Sequence, residues 1–305
     1  MTVLEIYKGH GTRNDFVLLD DRDARLDINE SLVRTLTDRR DGVGGDGLIR
    51  LVPTVAMPQP DRDRLAGSPQ WFMDYRNADG SVAQMCGNGV RAFAAFLELL
   101  DIADCAAAPL AVGTRAGTKW VTKNSETGWY SVSMGPGTLS APDAAQEHGA
   151  DATVKVTGLE GPPRPGLSVD MGNPHTVVAL YSRAELEELD LTRAPEVLPL
   201  PSDGTNVEFV VPLSEIESDD GIVGRAVMRV HERGVGETPS CGTGACAVAV
   251  ALATWGGPSA PQRWLIDVPG GQVSVDLNDL TDIRLAGPAR IVARAQVFIA
   301  EPAAL

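Results

Sequence analysis

Two of the four cysteines begin nearly identical motifs. Cys86 opens CGNG and Cys241 opens CGTG, and each motif leads directly into an apolar run. A cysteine at the start of a helix lies where free backbone N–H groups and the helix dipole favour negative charge, so the pattern predicts a lowered thiol pKa and a reactive thiolate. The motif glycines lack side chains, so an anionic group could approach these N–H groups closely.

The alternative interpretation of each cysteine is an inert core thiol, because free cysteine is among the most buried residue types. Two cysteines at matching places in a repeat favour a functional pair instead. Cys105 and Cys246 lack the motif and are predicted to be core thiols. No disulfide framework is expected, and no cluster of cysteine and histidine has the spacing of a zinc site, so no metal is expected either.

The chain contains an internal repeat. Four segments recur in the same order at offsets of 159, 153, 159 and 155 residues. The pairs are NDFVLLD with NPHTVVAL, NESLVRTL with SRAELEEL, GDGLIRLV with GTNVEFVV, and MCGNGVRAFAAF with SCGTGACAVAVA. This order predicts two similar domains that face each other, each carrying one of the motif cysteines.

The apolar patterning predicts the α+β class. Short alternating segments such as WYSVSM and GRAVMRVHE favour twisted, mostly antiparallel sheets. The runs Val90–Leu100 and Ala245–Trp255 are apolar on nearly every side, which is typical of a central buried helix, and Gly256 and Gly257 end the second run. We therefore expect two pseudo-symmetric domains, in each of which a sheet wraps around one buried helix.

Polar-faced helices are expected outside the sheets, at Asn29–Arg40 and from a capping box at Ser182. The predicted domains are residues 1–134, completed by 289–305, and residues 135–288, with hinges near 134 and 288. Residues 53–70 contain four prolines and several charges, and they are predicted to form an exposed, solvated insertion.

Composition excludes several classes of function. The net charge of −15 disfavours binding to nucleic acid or to an anionic membrane surface. No apolar stretch is long enough to span a bilayer, and the N-terminus does not resemble a secretory signal, so a cytoplasmic protein is expected. The one GxGxxG match, at 42–47, follows a polar helix end and precedes a strand, which is the reverse of the dinucleotide-binding order. A small-molecule substrate is the expected partner.

Two symmetric thiols and an anion site suit inversion of a stereocentre without a cofactor. One thiolate would remove the α-proton of an amino acid, and the other cysteine would deliver a proton to the opposite face. Helix N-termini would stabilise the negative charge that develops on the substrate carboxylate.

The chain resembles the diaminopimelate epimerase family over nearly its whole length. The resemblance rests on seven segments: RNDFVLLD, DGVGGDGL, FMDYRNADGSVAQMCGNGVRAFA, DMGNPHTVV, GTNVEFV, RVHERGVGETPSCGTGACA and VPGGQVSV. It implies a cofactor-independent enzyme that interconverts LL- and meso-diaminopimelate for bacterial lysine and cell-wall synthesis. It also implies a homodimer.

The same resemblance implies roles for particular residues. Cys86 and Cys241 are similar to the catalytic pair, and His175 is similar to a group that supports the cysteines, as is Glu232. The implied binders of the reacting carboxylate are Gly87, Asn88, Gly242 and Thr243. The implied contacts to the remaining amino and carboxylate groups are Asn14, Asn77, Asn173, Asn206, Glu232 and Arg233.

Several of these residues have simpler interpretations. Asn77 could serve solely to form a turn, and His175 could be a core histidine. Arg233 could form a surface ion pair with Glu232 or Glu237. Arg233 could otherwise clamp a distal carboxylate through two hydrogen bonds.

Other functions also stay open. The alternatives are a proline racemase or hydroxyproline epimerase, a phenazine-biosynthesis type of isomerase, and a thiol redox or ligand-binding module in which the two cysteines form a reversible disulfide.

Overall fold

The computed structural model describes residues 2–219 and 221–299, and the chain divides into two compact units. The first runs to Val132 and resumes at Pro288, and the second covers Ser133–Gly287. Both units consist mainly of sheet with few helices, which confirms the predicted α+β class.

The first unit is built on one mixed sheet. Neighbouring strands lie in the order β19, β1, β2, β3, β4, β5, β6 and β7. The strands are β1 (Thr2–Gly11), β2 (Asn14–Asp20), β3 (Gly47–Pro53), β4 (Trp71–Asn77), β5 (Leu110–Thr114), β6 (Gly117–Lys123), β7 (Tyr130–Gly135) and β19 (Ala289–Ile299).

The second unit repeats this arrangement with the strand order β8, β10, β11, β13, β14, β16, β17 and β18. Three short strands, β9, β12 and β15, pair at its margins. The strands are β8 (Thr138–Leu139), β9 (Ala152–Lys155), β10 (Arg164–Asp170), β11 (Pro174–Ala179), β12 (Glu196–Leu198), β13 (Asn206–Ser218), β14 (Gly221–Glu232), β15 (Gly236–Glu237), β16 (Arg263–Val268), β17 (Gly271–Asp276) and β18 (Ile283–Gly287).

The two sheets share one pattern of strand direction, which confirms the repeat predicted from the sequence. In both, the third and fifth pairings are parallel and the other five are antiparallel. Parallel neighbours need a crossover connection, and here a helix supplies each one. These helices are α1 (Glu30–Thr37) and α3 (Gly87–Leu99) in the first unit, and α5 (Arg183–Glu188) and α6 (Gly242–Gly256) in the second; α2 (Gln59–Arg62) and α4 (Pro142–His148) are shorter additions.

The central helices α3 and α6 begin three residues earlier than the apolar runs predicted. Cys86 and Cys241 are their N-caps, and each sulfur accepts the backbone N–H of the third helical residue at 3.4 Å. Each helix is therefore longer than its apolar run, because the cysteine cap lets the glycine-rich motif form the first turn. Every residue from Gly87 to Leu97 is buried, and α6 is buried almost as completely, as predicted for central helices.

Both outer helices form at their predicted caps, and α1 is shorter than expected. Asn29 caps α1 by accepting the N–H of Leu32 at 2.9 Å. The helix ends at Thr37, before the predicted Arg40, because the Asp38 carboxylate accepts the N–H groups of Arg40 and Asp41 and forms a local turn. Ser182 caps α5 as predicted, but the Glu185 carboxylate accepts the N–H of Tyr181, one residue before the cap.

The insertion 53–70 is largely exposed, as predicted, but it is anchored to the fold at a few positions. It contains α2, and Met57 is buried in a small apolar cluster with Val52 and Phe72. The Thr118 hydroxyl bonds both backbone groups of Ala66, which fixes the insertion to β6. A few buried contacts therefore attach an otherwise exposed insertion to the sheet. In the described part of the chain, no helix is long and apolar enough to cross a membrane.

Cys105 is a core thiol, and its environment predicts an alkaline limit to stability. Burial raises its pKa to about 12, and the nearby Glu98 carboxylate adds to this effect. Because the folded pKa exceeds that of the unfolded chain, this thiol stabilises the fold fully below pH ~8.5, and the contribution is lost as the pH rises toward 12. We expect the urea midpoint to fall between pH 8 and pH 10.5, and to fall less in Cys105→Ala. Equal losses in the two proteins would contradict this assignment.

Candidate active site

A first cluster of candidate site residues surrounds Cys86, whose side chain is half-buried at the start of α3. Its sulfur lies 3.4 Å from Asn14 Oδ1, to which the thiol donates. The same amide oxygen accepts a hydrogen bond from Asn88 Nδ2 at 3.3 Å. The end of the β1–β2 turn therefore lies beside the first turn of α3, and three predicted site residues are in contact.

Asp46 fixes the orientation of Asn14. One oxygen of its carboxylate accepts Asn14 Nδ2 at 2.7 Å and the N–H of Asp15 at 3.0 Å. The other oxygen accepts Arg39 Nη2 at 2.7 Å. Since a carboxylate can only accept, the amide nitrogen of Asn14 must face Asp46, and its oxygen must face the sulfur of Cys86.

Arg39 extends this network to a second carboxylate. Its guanidinium bonds both oxygens of Asp15, at 2.7 and 3.1 Å. Burial raises the pKa of Asp15, but hydrogen bonds from Arg39 and Lys8 outweigh that effect and hold this pKa well below its ordinary value. The Asp15 carboxylate of β2 is therefore charged at neutral pH, and through Arg39 it holds the loop before β3 against β2.

Substituting Asp46 should leave Asn14 less firmly oriented beside Cys86. We expect Asp46→Ala to lower kcat/KM by about 10–100-fold, because removal of an orienting partner commonly has an effect of that size. Asp41→Ala, an exposed position in the same loop, is the matched control and should keep wild-type activity. Steady-state kinetics at neutral pH would check both, and equal rates for the two variants would contradict the role of Asp46.

A buried cation lies behind the first turn of α3. Arg91 is 0% exposed, and its Nη2 donates to Asn88 Oδ1 and to Thr12 Oγ1, each at 2.6 Å. A hydrogen bond from a charged donor is stronger than a neutral one. Arg91 therefore holds Asn88, a predicted binder of the reacting carboxylate, in one orientation.

A second cluster of candidate site residues, in the other unit, surrounds Cys241, which is buried at the start of α6. Its sulfur lies 3.5 Å from Thr243 Oγ1 and accepts the N–H of Gly244 at 3.4 Å. Burial raises the pKa of Cys241 well above its ordinary value, and the Glu232 and Glu208 carboxylates raise it further.

The expectation of a lowered thiol pKa is therefore wrong for Cys241. The hydrogen bonds from Thr243 and Gly244 at the helix N-terminus do lower it, but burial and the two carboxylates have the larger effect. Cys241 is a thiol in this state of the protein, which suits a proton donor.

His175 connects the residues around Cys241 to a buried carboxylate. Its Nδ1 lies 2.7 Å from Glu208 Oε1, and its Nε2 lies 3.1 Å from Asn173 Oδ1. Asn173 Nδ2 in turn donates to Thr243 Oγ1 at 3.5 Å. His175 is thus part of a hydrogen-bonded chain that leads to the hydroxyl beside Cys241, and it is not only a core histidine.

Asn206 and Arg233 are adjacent where β13 begins and β14 ends. Asn206 Oδ1 accepts the N–H of Arg233 at 3.0 Å, and its Nδ2 donates to the carbonyl of Pro174 at 3.1 Å. The exposed Arg233 guanidinium donates to the backbone carbonyl of Asp203. Glu237, one of the ion-pair partners considered for Arg233, instead bonds Arg229 at 2.7 and 2.9 Å.

The other predicted side chains make local contacts. Glu232 accepts a hydrogen bond from the hydroxyl of Thr238. Asn77 is exposed at the end of β4, and its Nδ2 donates to Ser81 Oγ at 3.0 Å. Asn77 therefore takes part in a turn, which was the alternative to its implied role as a substrate contact. Among residues 2–219 and 221–299, no group of three or more acidic, cysteine and histidine side chains could hold a metal ion.

Comparison with known proteins identifies the family. The diaminopimelate epimerase family model matches residues 6–140 and 167–292. The chain belongs to the diaminopimelate epimerase family. A diaminopimelate epimerase of Streptomyces coelicolor is 43% identical over 303 residues, covering 97% of this chain and 96% of that protein. As a member of the diaminopimelate epimerase family, the chain is an isomerase that acts as an epimerase, and lysine biosynthesis follows from that activity.

Solved structures outside the diaminopimelate epimerase family share the fold. A Bacillus anthracis protein of the PhzF phenazine-biosynthesis family has a TM-score of 0.67 at 16% identity, and the match covers 98% of this chain and all of that one. A hydroxyproline epimerase of Agrobacterium vitis has a TM-score of 0.63 at 13% identity, covering 98% and 94%. At these identities the likeness concerns architecture alone, so family membership rests on the sequence relatives.

Three residues of the site were missed by sequence reasoning, although each left a signal. Asp46 belongs to the DGVGGDGL segment on which the resemblance to diaminopimelate epimerases rests. Arg91 is a charge within an otherwise apolar buried helix, and Glu208 is a charge within the apolar strand NVEFVV. A charge in a segment that must be buried indicates a specific partner.

Proposed function

We propose that the chain interconverts LL- and meso-diaminopimelate by a two-base reaction at one α-carbon. One cysteine thiolate takes the α-proton, so that an S–H bond forms while the C–H bond breaks and its electron pair moves toward the substrate carboxylate. The thiol of the other cysteine then gives its proton to the opposite face of the carbon, and the electron pair forms the new C–H bond. The two cysteines exchange roles in the reverse direction.

One observation carries the proposal. Cys86 and Cys241 are both N-caps of a central buried helix, at the same position of a duplicated fold, and each sulfur accepts an N–H at 3.4 Å. Core thiols have no need of this repeated geometry, and Cys246, one turn further into α6, does not share it.

The reacting carboxylate is assigned to the two helix N-termini. The backbone N–H groups of a first turn point away from the helix body, and the dipole favours an anion there. Gly87 and Asn88 would bind it from α3, and Gly242 and Thr243 from α6. The charge that develops on the carboxylate during proton removal is stabilised at the same place.

The other end of the substrate is assigned to polar side chains around the cysteines. Neutral amides suit its amino group and Arg233 suits its distal carboxylate, since a guanidinium binds a carboxylate through two parallel hydrogen bonds. The proposed residues are Asn14, Asn77, Asn173, Asn206, Glu232 and Arg233. A cytoplasmic homodimer without a cofactor completes the proposal.

Solvent exchange tests this assignment. Incubation with LL-diaminopimelate in deuterated water should yield the meso form with deuterium at one α-carbon, detected by mass spectrometry and chiral chromatography. L-Proline and trans-4-hydroxy-L-proline, tested in parallel, should not exchange. Exchange confined to proline or hydroxyproline would move the assignment to those enzymes, and absence of exchange with every substrate would favour a thiol redox or binding role.

A further inference from the structure

A buried histidine–carboxylate pair, His175 and Glu208, lies near Cys241, and the corresponding position in the first unit is apolar. The first sheet pairs Phe16 with Gly47, and the second sheet pairs His175 with Asn206 at the corresponding place. Two residues beyond Gly47 and Asn206, Ile49 in the first sheet therefore corresponds to Glu208 in the second. A side chain added at Gly89 would meet Ile49 and Phe16, at 3.3 and 3.5 Å.

The corresponding helix position in the second half meets a carboxylate. A Cβ at Gly244 would lie 2.6 Å from Glu208 Oε1, so Gly244 must lack a side chain for the carboxylate to fit beneath the first turn of α6. The first unit forms the same fold with hydrocarbon side chains at this position, so the fold itself does not require a polar pair here. Glu208 and His175 are both 0% exposed at their side chains.

The orientation of Asn173 indicates where the protons of this pair lie. Asn173 donates its Nδ2 to the Thr243 hydroxyl, and its oxygen faces His175 Nε2. An amide oxygen only accepts, so in this orientation His175 Nε2 carries a hydrogen. The 2.7 Å contact between His175 Nδ1 and Glu208 Oε1 needs one more hydrogen, on either the ring or the carboxyl group.

The surroundings of Glu208 favour the ring as the place of that second hydrogen. The carboxylate lies against the N-terminal turn of α6, where the helix dipole stabilises an anion. An imidazolium at hydrogen-bond distance compensates the remaining buried charge. Glu208 Oε2 is also buried, with no hydrogen-bond partner in the described part of the chain, and such a group is costly to keep without a function.

We propose that Glu208 is a positioning residue that keeps His175 doubly protonated and thereby fixes Asn173 and Thr243 beside Cys241. This inference rests on the proposed function, because its consequence is the correct placement of the second cysteine's neighbours. The chain of contacts runs from Glu208 through His175 and Asn173 to the Thr243 hydroxyl, 3.5 Å from the sulfur.

Nitrogen NMR of histidine in the full chain tests the protonation directly. With only four histidines to assign, 15N-labelled protein at pH 7 should show both ring nitrogens of His175 protonated. In Glu208→Gln, the neutral amide cannot stabilise an imidazolium, so His175 should show one protonated and one unprotonated nitrogen. A singly protonated His175 in the wild-type protein, or identical His175 shifts in both proteins, would overturn the proposal.

Kinetics test the consequence for the site. Glu208→Gln should lower kcat/KM for diaminopimelate by about 10–100-fold. The double variant with His175→Gln should be no slower than His175→Gln alone, because the two residues act as a unit. Ile49→Leu, the matched substitution in the first half, should leave the rate within about twofold, since volume-conserving core changes are tolerated.

The two proposals can fail separately. Additive losses in the double variant, or an unchanged rate in Glu208→Gln, would overturn the role of Glu208. A wild-type protein that is inactive on every diaminopimelate stereoisomer would overturn the proposed function, and the nitrogen shifts would still decide the protonation of His175.

Discussion

Cys86→Ala and Cys241→Ala are each expected to lower kcat/KM for epimerisation by at least about a hundredfold, the lower end of what a positioned general acid or base contributes. The reason is that inversion needs a proton removed on one face and a proton added on the other, and a single sulfur cannot do both. Chiral chromatography of the conversion from LL to meso would measure the loss. Cys105→Ala and Cys246→Ala are the matched controls, because both thiols are buried core residues.

The same variants should separate proton removal from inversion. A variant with one remaining cysteine can still remove and return a proton on a single face. Each variant should therefore incorporate deuterium from the solvent into one stereoisomer without inverting it. Cys86→Ala and Cys241→Ala should therefore label different stereoisomers in deuterated water. If both variants labelled the same isomer, or if the core controls lost as much activity, the two-base assignment would be wrong.

The parts of the fold that depend on local sequence were predictable. The positions of Cys86 and Cys241 as helix N-caps follow from short motifs before apolar runs, and the parallel pairings follow from the placement of crossover helices. The repeat could be recognised because both copies keep these local signals in the same order.

The parts of the site that depend on distant contacts were not predictable. Asp46 bonds Asn14 across 32 residues of chain, and Glu208 bonds His175 across 33, and no sequence spacing indicates either contact. The pKa of Cys241 was expected in the wrong direction for the same reason. The motif shows the helix N-terminus that lowers it, whereas burial and the two carboxylates that raise it come from the packed structure.

The end of α1 shows a similar limit at shorter range. The apolar spacing of Asn29–Arg40 is helical, but the Asp38 side chain competes for backbone N–H groups and ends the helix at Thr37. In the insertion 53–70, composition indicated solvation, while the burial of Met57 depends on the neighbouring strands. In both segments, specific side-chain contacts determine the structure, and average composition does not indicate these contacts.

Arg233→Ala is expected to raise KM for diaminopimelate by about 10–100-fold with a smaller effect on kcat, since hydrogen bonds to charged groups contribute about 1.5–3 kcal/mol. The distal carboxylate is remote from the reacting carbon, so binding it should stabilise the ground state and the transition state equally. The backbone of Arg233 is held by Asn206, and one bond to the Asp203 carbonyl does not exhaust a guanidinium with five N–H donors.

Two further variants sharpen this prediction about the distal carboxylate. Arg233→Lys should recover only part of the affinity, because an ammonium group cannot form the paired bonds of a guanidinium. Arg193→Ala removes an exposed arginine of the same unit and should leave KM unchanged, which controls for the loss of net positive charge. Full recovery in Arg233→Lys would indicate general electrostatic attraction, and a KM for Arg233→Ala equal to that of Arg193→Ala would remove Arg233 from the substrate site.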